Sequence, residues 1–311
     1  MTQKRDHGGG IDAAIGTYGG TRADWLDLST GINPLPYPMP RLADDAWAAL
    51  PDHAAFSRLY DLARSFWNVP QGAAIIGAAG ASAIIAALPH TQYRGTVHIP
   101  GPTYNEHGAA FQAADWTRDD STPDAMVAVH PNNPDGLLWD ASDLTAPLTI
   151  IDESFGDVAP DQSLIHLASR PGTVVLKSFG KFWGLAGLRL GFAIGDPAII
   201  NKLADLLGPW QISGPALAIG AEALSDPLWA DQTRARLQKD AARLDALLTA
   251  QGAEVIGGTT LFRLYKVKDA AAAQAHLAQS HVWSRTFPYA PDWLRLGLPA
   301  PARWAQLEAA F

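Results

Sequence analysis

The chain runs to 311 residues, room for one large domain and a smaller one. Apolar residues make up 48% and charged residues 17%, the balance of a folded globular protein, and the net charge of −8 argues against a general affinity for nucleic acid or anionic membrane, because both require a basic face. There is no cysteine, which removes disulfides and thiolate chemistry from consideration.

Residues 1–11, MTQKRDHGGGI, lack the apolar stretch of a signal peptide, and no apolar run reaches the roughly 18 residues of a membrane span. A soluble, cytoplasmic protein is the expectation. Residues 1–45 are rich in Gly and Pro and read as an arm that contributes to the smaller domain and the active site. From 46 to 207, short β-branched runs alternate with helical stretches. Strands are expected at 96–99, 126–130, 148–152, 173–177 and 190–194, and helices at 82–88, 104–114, 163–169 and 197–206. The strands are near-continuous apolar runs, as in a mainly parallel sheet covered on both faces. The fold class is therefore α/β, a parallel sheet flanked by helices. After Gly208 the texture changes. Two helices are expected at 215–224 and 227–250, the second with Leu237, Leu244, Leu247 and Leu248 at helical spacing. A half-exposed strand at 261–267, an Ala-rich helix, a strand-like stretch at 282–298 and a final helix at 302–311 complete a small α+β domain over 208–311.

Four segments carry chemistry. Residues 76–82, IGAAGAS, place small residues before a helix, where backbone N–H groups can approach a phosphate; the spacing is not that of a P-loop. Residues 130–136, HPNNPDG, form a turn after a strand and present Asn133. Residues 150–157, IIDESFGD, put Asp152 at a strand end, where open α/β sheets hold their ligands. Residues 174–192, VVLKSFGKFWGLAGLRLGF, place Lys181 in a loop after a strand, with Ser178 before it and Arg189 eight residues on. A lysine in apolar surroundings can become an imine-forming nucleophile, and Ser178 with Arg189 can take a phosphate. Each segment alone is compatible with an ordinary turn, cap or surface lysine. Lys177, at a strand end, competes with Lys181. The nine histidines show no metal-ligating spacing, so no metal is expected. Phe155, Trp183, Trp47, Trp67, Trp229 and Trp304 read as packing residues.

In this order, AGAS, NNPDG, DESF, SFGK and GLRLGF resemble the fold-type I pyridoxal-phosphate enzymes, the class I/II aminotransferase superfamily, over essentially the whole chain. HGGGID, LSTGINPL, PGPTYNEH, LGPWQISGPAL, GGTTLFRL and WLRLGLP narrow the resemblance to the threonine-phosphate decarboxylase group of cobalamin biosynthesis.

The resemblance implies pyridoxal 5'-phosphate bound covalently through Lys181, which later shuttles a proton. It implies Asp152 on the pyridine nitrogen and Asn133 on the ring oxygen. Ser178, Arg189 and the backbone of Ala79, Gly80 and Ala81 would hold the phosphate, and Tyr104 would stack on the ring. Arg295 would take the substrate carboxylate, with His7, Gly8, Gly31, Asn133 and Arg285 around the rest, His7 and Arg285 at its phosphate. The implied reaction converts O-phospho-L-threonine to (R)-1-aminopropan-2-yl phosphate. The rival within the superfamily is a histidinol-phosphate-type aminotransferase, and the rival outside it a non-catalytic relative. Three departures stand out. Phe155 replaces a tyrosine common in the superfamily, His130 an asparagine, and Leu50 the tyrosine that reaches a partner subunit's cofactor. A homodimer is implied, without that contact.

Overall fold

A computed structural model describes residues 6–311. They form two compact units. The larger comprises Pro36–Asn133 and Leu137–Gln232; the other comprises the chain up to Leu35, Pro134–Gly136 and Thr233–Phe311.

The larger unit is built on a seven-stranded sheet. Its spatial order is Ala74–Ala78, Gly191–Gly195, Thr173–Ser178, Leu148–Asp152, Ala125–Val129, Thr96–His98 and Thr117–Arg118. From Thr173–Ser178 to Thr117–Arg118 all neighbours are parallel. Gly191–Gly195 alone runs antiparallel to both its neighbours. The cause lies in the connection. A parallel return needs a crossover long enough to pass over a sheet face, usually a helix. Residues 179–190 hold only the single 3-10 turn Ala186–Leu188, so the chain doubles back alongside the strand it has left. That return loop carries Lys181.

The central strands are buried throughout except at Ser178, as their unbroken apolar runs predict. Ile84, Phe111, Ile150, Leu176 and Ala193 lie in one core layer between sheet and helices. Each fully buried large side chain contributes about 1.5–3 kcal/mol. Elements beyond the sequence expectation include the edge strands Ala74–Ala78 and Thr117–Arg118, the short helix Asp45–Ala48, and the helix His53–Phe66, capped by Asp52 and burying Leu59 and Ala63. The expected helix at 163–169 is a 3-10 segment, Ile165–Ser169.

The expected boundary at 207/208 requires correction. The helix Gly214–Leu224 is almost wholly buried, and a Cβ on its Gly220 would come within 3.0 Å of Leu59. Residues 208–232 therefore belong with the larger unit. The change of texture after Gly208 marks a change from alternating to helical structure inside one core.

The other unit has a four-stranded antiparallel sheet in the order Arg285–Phe287, Ala290–Gly297, Phe262–Lys266 and Glu254–Gly258. The stretch expected as one strand-like run thus breaks into pieces, the first of which, Val282–Trp283, pairs in parallel with Leu26–Asp27 from the arm. The arm also forms the helix Ile11–Tyr18, whose Ile11 and Ala14 pack with Trp25 and Ala278. Pro134–Gly136 joins this unit by close backbone approach. The Gly258 amide donates to the Asp135 carbonyl at 2.6 Å, and a Cβ on Gly136, whose φ is +78°, would stand 2.1 Å from the Gly258 carbonyl oxygen. Among the described residues, no helix is long and apolar enough to cross a membrane.

Candidate active site

Strand ends and their following turns supply the site. In the larger unit they enclose a cavity of about 220 Å³ lined by Ala81, Ser82, Ile85, Tyr104, Val129, Asn133, Asp152, Ser154, Phe155, Ser178, Gly180, Lys181, Ala186 and Arg189. Seven of the nine residues expected at a cofactor are in that lining. Ala79 and Gly80 form the turn leading into it.

Asp152 ends its strand with 2% of its surface exposed. Ser154 donates to its Oδ1 from both the backbone N–H (2.9 Å) and the hydroxyl (2.6 Å), while Nε2 of His107 lies 2.8 Å from Oδ2. Burial alone would push this carboxyl up. The hydrogen bond and charge of His107, with the two bonds from Ser154, outweigh burial and hold Asp152 below the usual carboxylate range. An ionised carboxylate is thus fixed at the floor of the cavity. The sequence reading missed His107. Its only sequence signal is its place three residues after Tyr104, on the helix Asn105–Ala113.

Tyr104 precedes that helix and makes a hydrogen bond with Ser82. Burial, reinforced by the charges of Glu106 and Asp152, raises its pKa, so the phenol stays neutral and offers an aromatic face. Across the cavity lining, the Lys181 Nζ lies 5.1 Å from the ring centroid of Phe155, which makes Phe155 a wall of the site as well as a packing residue.

The anion corner depends on glycine. Gly80 sits at φ +84°, and a Cβ there would lie 2.4 Å from a terminal nitrogen of Arg189. Gly191 lets its strand approach the Ala81 amide, from which a Cβ would stand only 2.4 Å. Arg189 itself adopts a left-handed backbone at φ +54° and donates to the Ala186 carbonyl at 3.0 Å. The guanidinium, the Ser178 hydroxyl and the start of the helix Ala81–Ala87 therefore surround one end of the cavity. A lysine amine, an ionised carboxylate, an amide, an aromatic face and an arginine with a hydroxyl are the donor set that pyridoxal phosphate requires. The glycine cradle leaves room for its phosphate.

Lys177 has a different fate from Lys181. It is buried with Nζ 2.6 Å from Glu153 Oε2 and 3.6 Å from Asp157 Oδ1. Asp157 also accepts from the indole N–H groups of Trp67 (2.8 Å) and Trp183 (2.9 Å). Trp183 stacks on Phe179 and Trp229, the packing role expected of it. Trp47 does not pack: it is 73% exposed. His130 is a clamp, its Nε2 donating to the Gln162 carbonyl and its Nδ1 accepting from the Trp139 amide.

Of the residues expected around the substrate, Asn133 lines the cavity just described, and His7, Gly8, Gly31, Arg285 and Arg295 lie in the other unit. Arg295 is buried, donates to the Ser29 carbonyl at 2.6 Å and lies 5.0 Å from the Phe262 ring. Burial and the like charge of Arg285 push it down to about 9, still well above neutrality. Arg285 is the Cα partner of Arg295 across the two strands. It donates to both Asp6 oxygens and to the His7 carbonyl. Gly8 lies so close to Ser29 that a Cβ would come 2.4 Å from its carbonyl oxygen, and Gly31, at φ +63°, lies beside Gly297.

Comparison with known proteins agrees with this chemistry. Residues 117–310 match the family described as aminotransferase class I and II. A threonine-phosphate decarboxylase from Sinorhizobium sp is 39% identical over 95% of this chain and 94% of its own length. One from Pseudomonas aeruginosa is 38% identical over 98% and 97%. Among solved structures, histidinol-phosphate aminotransferase from Sinorhizobium meliloti in complex with pyridoxal-5'-phosphate superposes with a TM-score of 0.82 at 16% identity, covering 97% of this chain and 93% of that one.

Proposed function

The chain belongs to the aminotransferase class I and II family, and on that premise we propose that it is a pyridoxal-phosphate-dependent decarboxylase converting O-phospho-L-threonine to (R)-1-aminopropan-2-yl phosphate in cobalamin biosynthesis. The observation that carries this reading is the single cavity onto which Lys181, Asp152, Asn133, Tyr104, Ser178 and Arg189 all open. Near-full-length identity of 38–39% to two threonine-phosphate decarboxylases favours decarboxylation over transamination.

Pyridoxal phosphate, when bound, supplies the electron sink for the pair left behind as the carboxylate departs. The protein does the rest. Asp152, kept ionised, would retain a proton on the ring nitrogen, and Asn133 would donate to the ring oxygen. Ser178, Arg189 and the backbone of Ala79, Gly80 and Ala81 would anchor the phosphate, while Tyr104 would cover one face of the ring. Lys181 is the covalent attachment point. Its amine, when not attached, would be the group that returns a proton to the α-carbon. Arg295 takes the substrate carboxylate, Arg285 and His7 its phosphate, and Gly8 and Gly31 leave room beside them. On an acidic protein, these local cations are what makes a doubly charged phosphate welcome.

The proposed setting is a cytoplasmic homodimer. Trp47, Leu50 and Trp210 are exposed on the larger unit and offer apolar surface to a second copy. Leu50 itself provides no hydroxyl for a partner's cofactor.

Release of carbon dioxide from phosphothreonine in the absence of any keto acid tests the function. Dependence on 2-oxoglutarate, with glutamate formed, would assign the histidinol-phosphate type of aminotransferase instead.

A further inference from the structure

We propose that Asp6 is an intramolecular competitor for the anion that Arg285 binds, so that the N-terminal arm sets the threshold for phosphate recognition. The proposal rests on the reading of Arg285 as a phosphate ligand. Asp6 Oδ1 accepts from one terminal nitrogen of Arg285 at 2.8 Å and Oδ2 from the other at 2.7 Å. This two-pronged geometry is the one by which a guanidinium grips a carboxylate or a phosphate. The Arg285 side chain is only 13% exposed whereas that of Asp6 is 45% exposed. The arginine is therefore set in the fold and the carboxylate laid over it from outside.

Two features make this pairing displaceable. Arg285 faces Arg295 across the strand pair, so the carboxylate lies where two like charges have been brought together. An incoming phosphate dianion brings one more negative charge to that point than Asp6 does. Secondly, Asp6 stands three residues outside a fixed point: the Gly9 amide is pinned to the Ser29 hydroxyl at 2.6 Å. Asp6 and His7 lie beyond that pin, so they can lift from Arg285 while Gly9 stays in place. Asp6 thus occupies Arg285 in the resting protein and yields to a dianion. A singly charged carboxylate would only exchange like for like.

The test is calorimetric titration of inorganic phosphate, at a pH where it is a dianion, into the cofactor-loaded protein and its Asp6→Asn, Asp6→Ala and Arg285→Gln variants. Both Asp6 variants should bind phosphate about fivefold more tightly than the parent, and Arg285→Gln should lose most of the affinity. Unchanged or weaker binding by the Asp6 variants, with affinity lost in Arg285→Gln, overturns the competitor role and leaves Arg285 as the phosphate ligand. Full affinity in Arg285→Gln overturns both.

Discussion

His107 Nε2 and Asp152 Oδ2 lie 2.8 Å apart, and both side chains are sealed from solvent. The two residues are 45 positions apart, one on a helix and one at a strand end, and the contact, with the two hydrogen bonds from Ser154, keeps the carboxylate ionised. Replacing His107 with Phe removes a charge-assisted hydrogen bond and leaves Asp152 with Ser154 alone. Cofactor affinity and turnover should each fall about 10- to 100-fold. Titration of the bound cofactor's absorbance checks this, and His107→Gln should recover part of the loss.

The pH dependence attached to Asp152 follows from the same contact. Its folded pKa lies below the ordinary value of 3.8, so its favourable contribution is complete above about that pH and is lost only as pH falls through the lower folded value. Acid unfolding of the parent protein should therefore be steeper below pH 4 than that of Asp152→Asn, as followed by circular dichroism.

Lys177, despite standing four residues from Lys181, is expected to matter for stability. Burial tends to lower its pKa, but Glu153 and Asp157 outweigh that and raise it above 10.5. The stabilisation is thus present below about 10.5 and lost as pH rises through the higher folded value. Lys177→Met leaves two buried carboxylates without their cation and should cost about 3–5 kcal/mol in urea unfolding. Surviving folded protein should still attach the cofactor.

Gly80→Ala should fold and yet bind the cofactor poorly. The new Cβ would stand 2.4 Å from a terminal nitrogen of Arg189, at a backbone φ of +84° that disfavours any side chain. Strain of about 1–3 kcal/mol, concentrated at the anion corner, corresponds to about a 5- to 150-fold loss of cofactor affinity. Equilibrium dialysis of the cofactor measures it.

Much of this site was legible in the sequence because its residues sit at ends of strands whose unbroken apolar runs are hard to misread. Asp152 after LTII, and Ser178 after TVVLK, are of that kind. The antiparallel course of Gly191–Gly195 was not legible, since nothing in a loop of 12 residues states which way the next strand will run. Ala74–Ala78 was hidden because its small residues merge with the Gly/Ala turn that follows. The helix His53–Phe66 did leave a trace, with Leu59 and Ala63 four apart, but mixed polar residues weaken the stripe. His107 and the Lys177–Glu153–Asp157 cluster were beyond sequence reasoning for a common reason: they are contacts between distant elements. The arm was read as a source of His7 and Gly8. Its pairing of Asp6 with Arg285 spans 279 residues and emerges only from the folded sheet.

The choice between Lys181 and Lys177 as the cofactor's attachment point decides the function. Purified holoprotein is reduced with borohydride, digested and mapped by mass spectrometry. The added mass of the reduced cofactor should fall on Lys181, with Lys177 unmodified. A label on Lys177, or no label on any lysine of a cofactor-saturated preparation, would contradict the account.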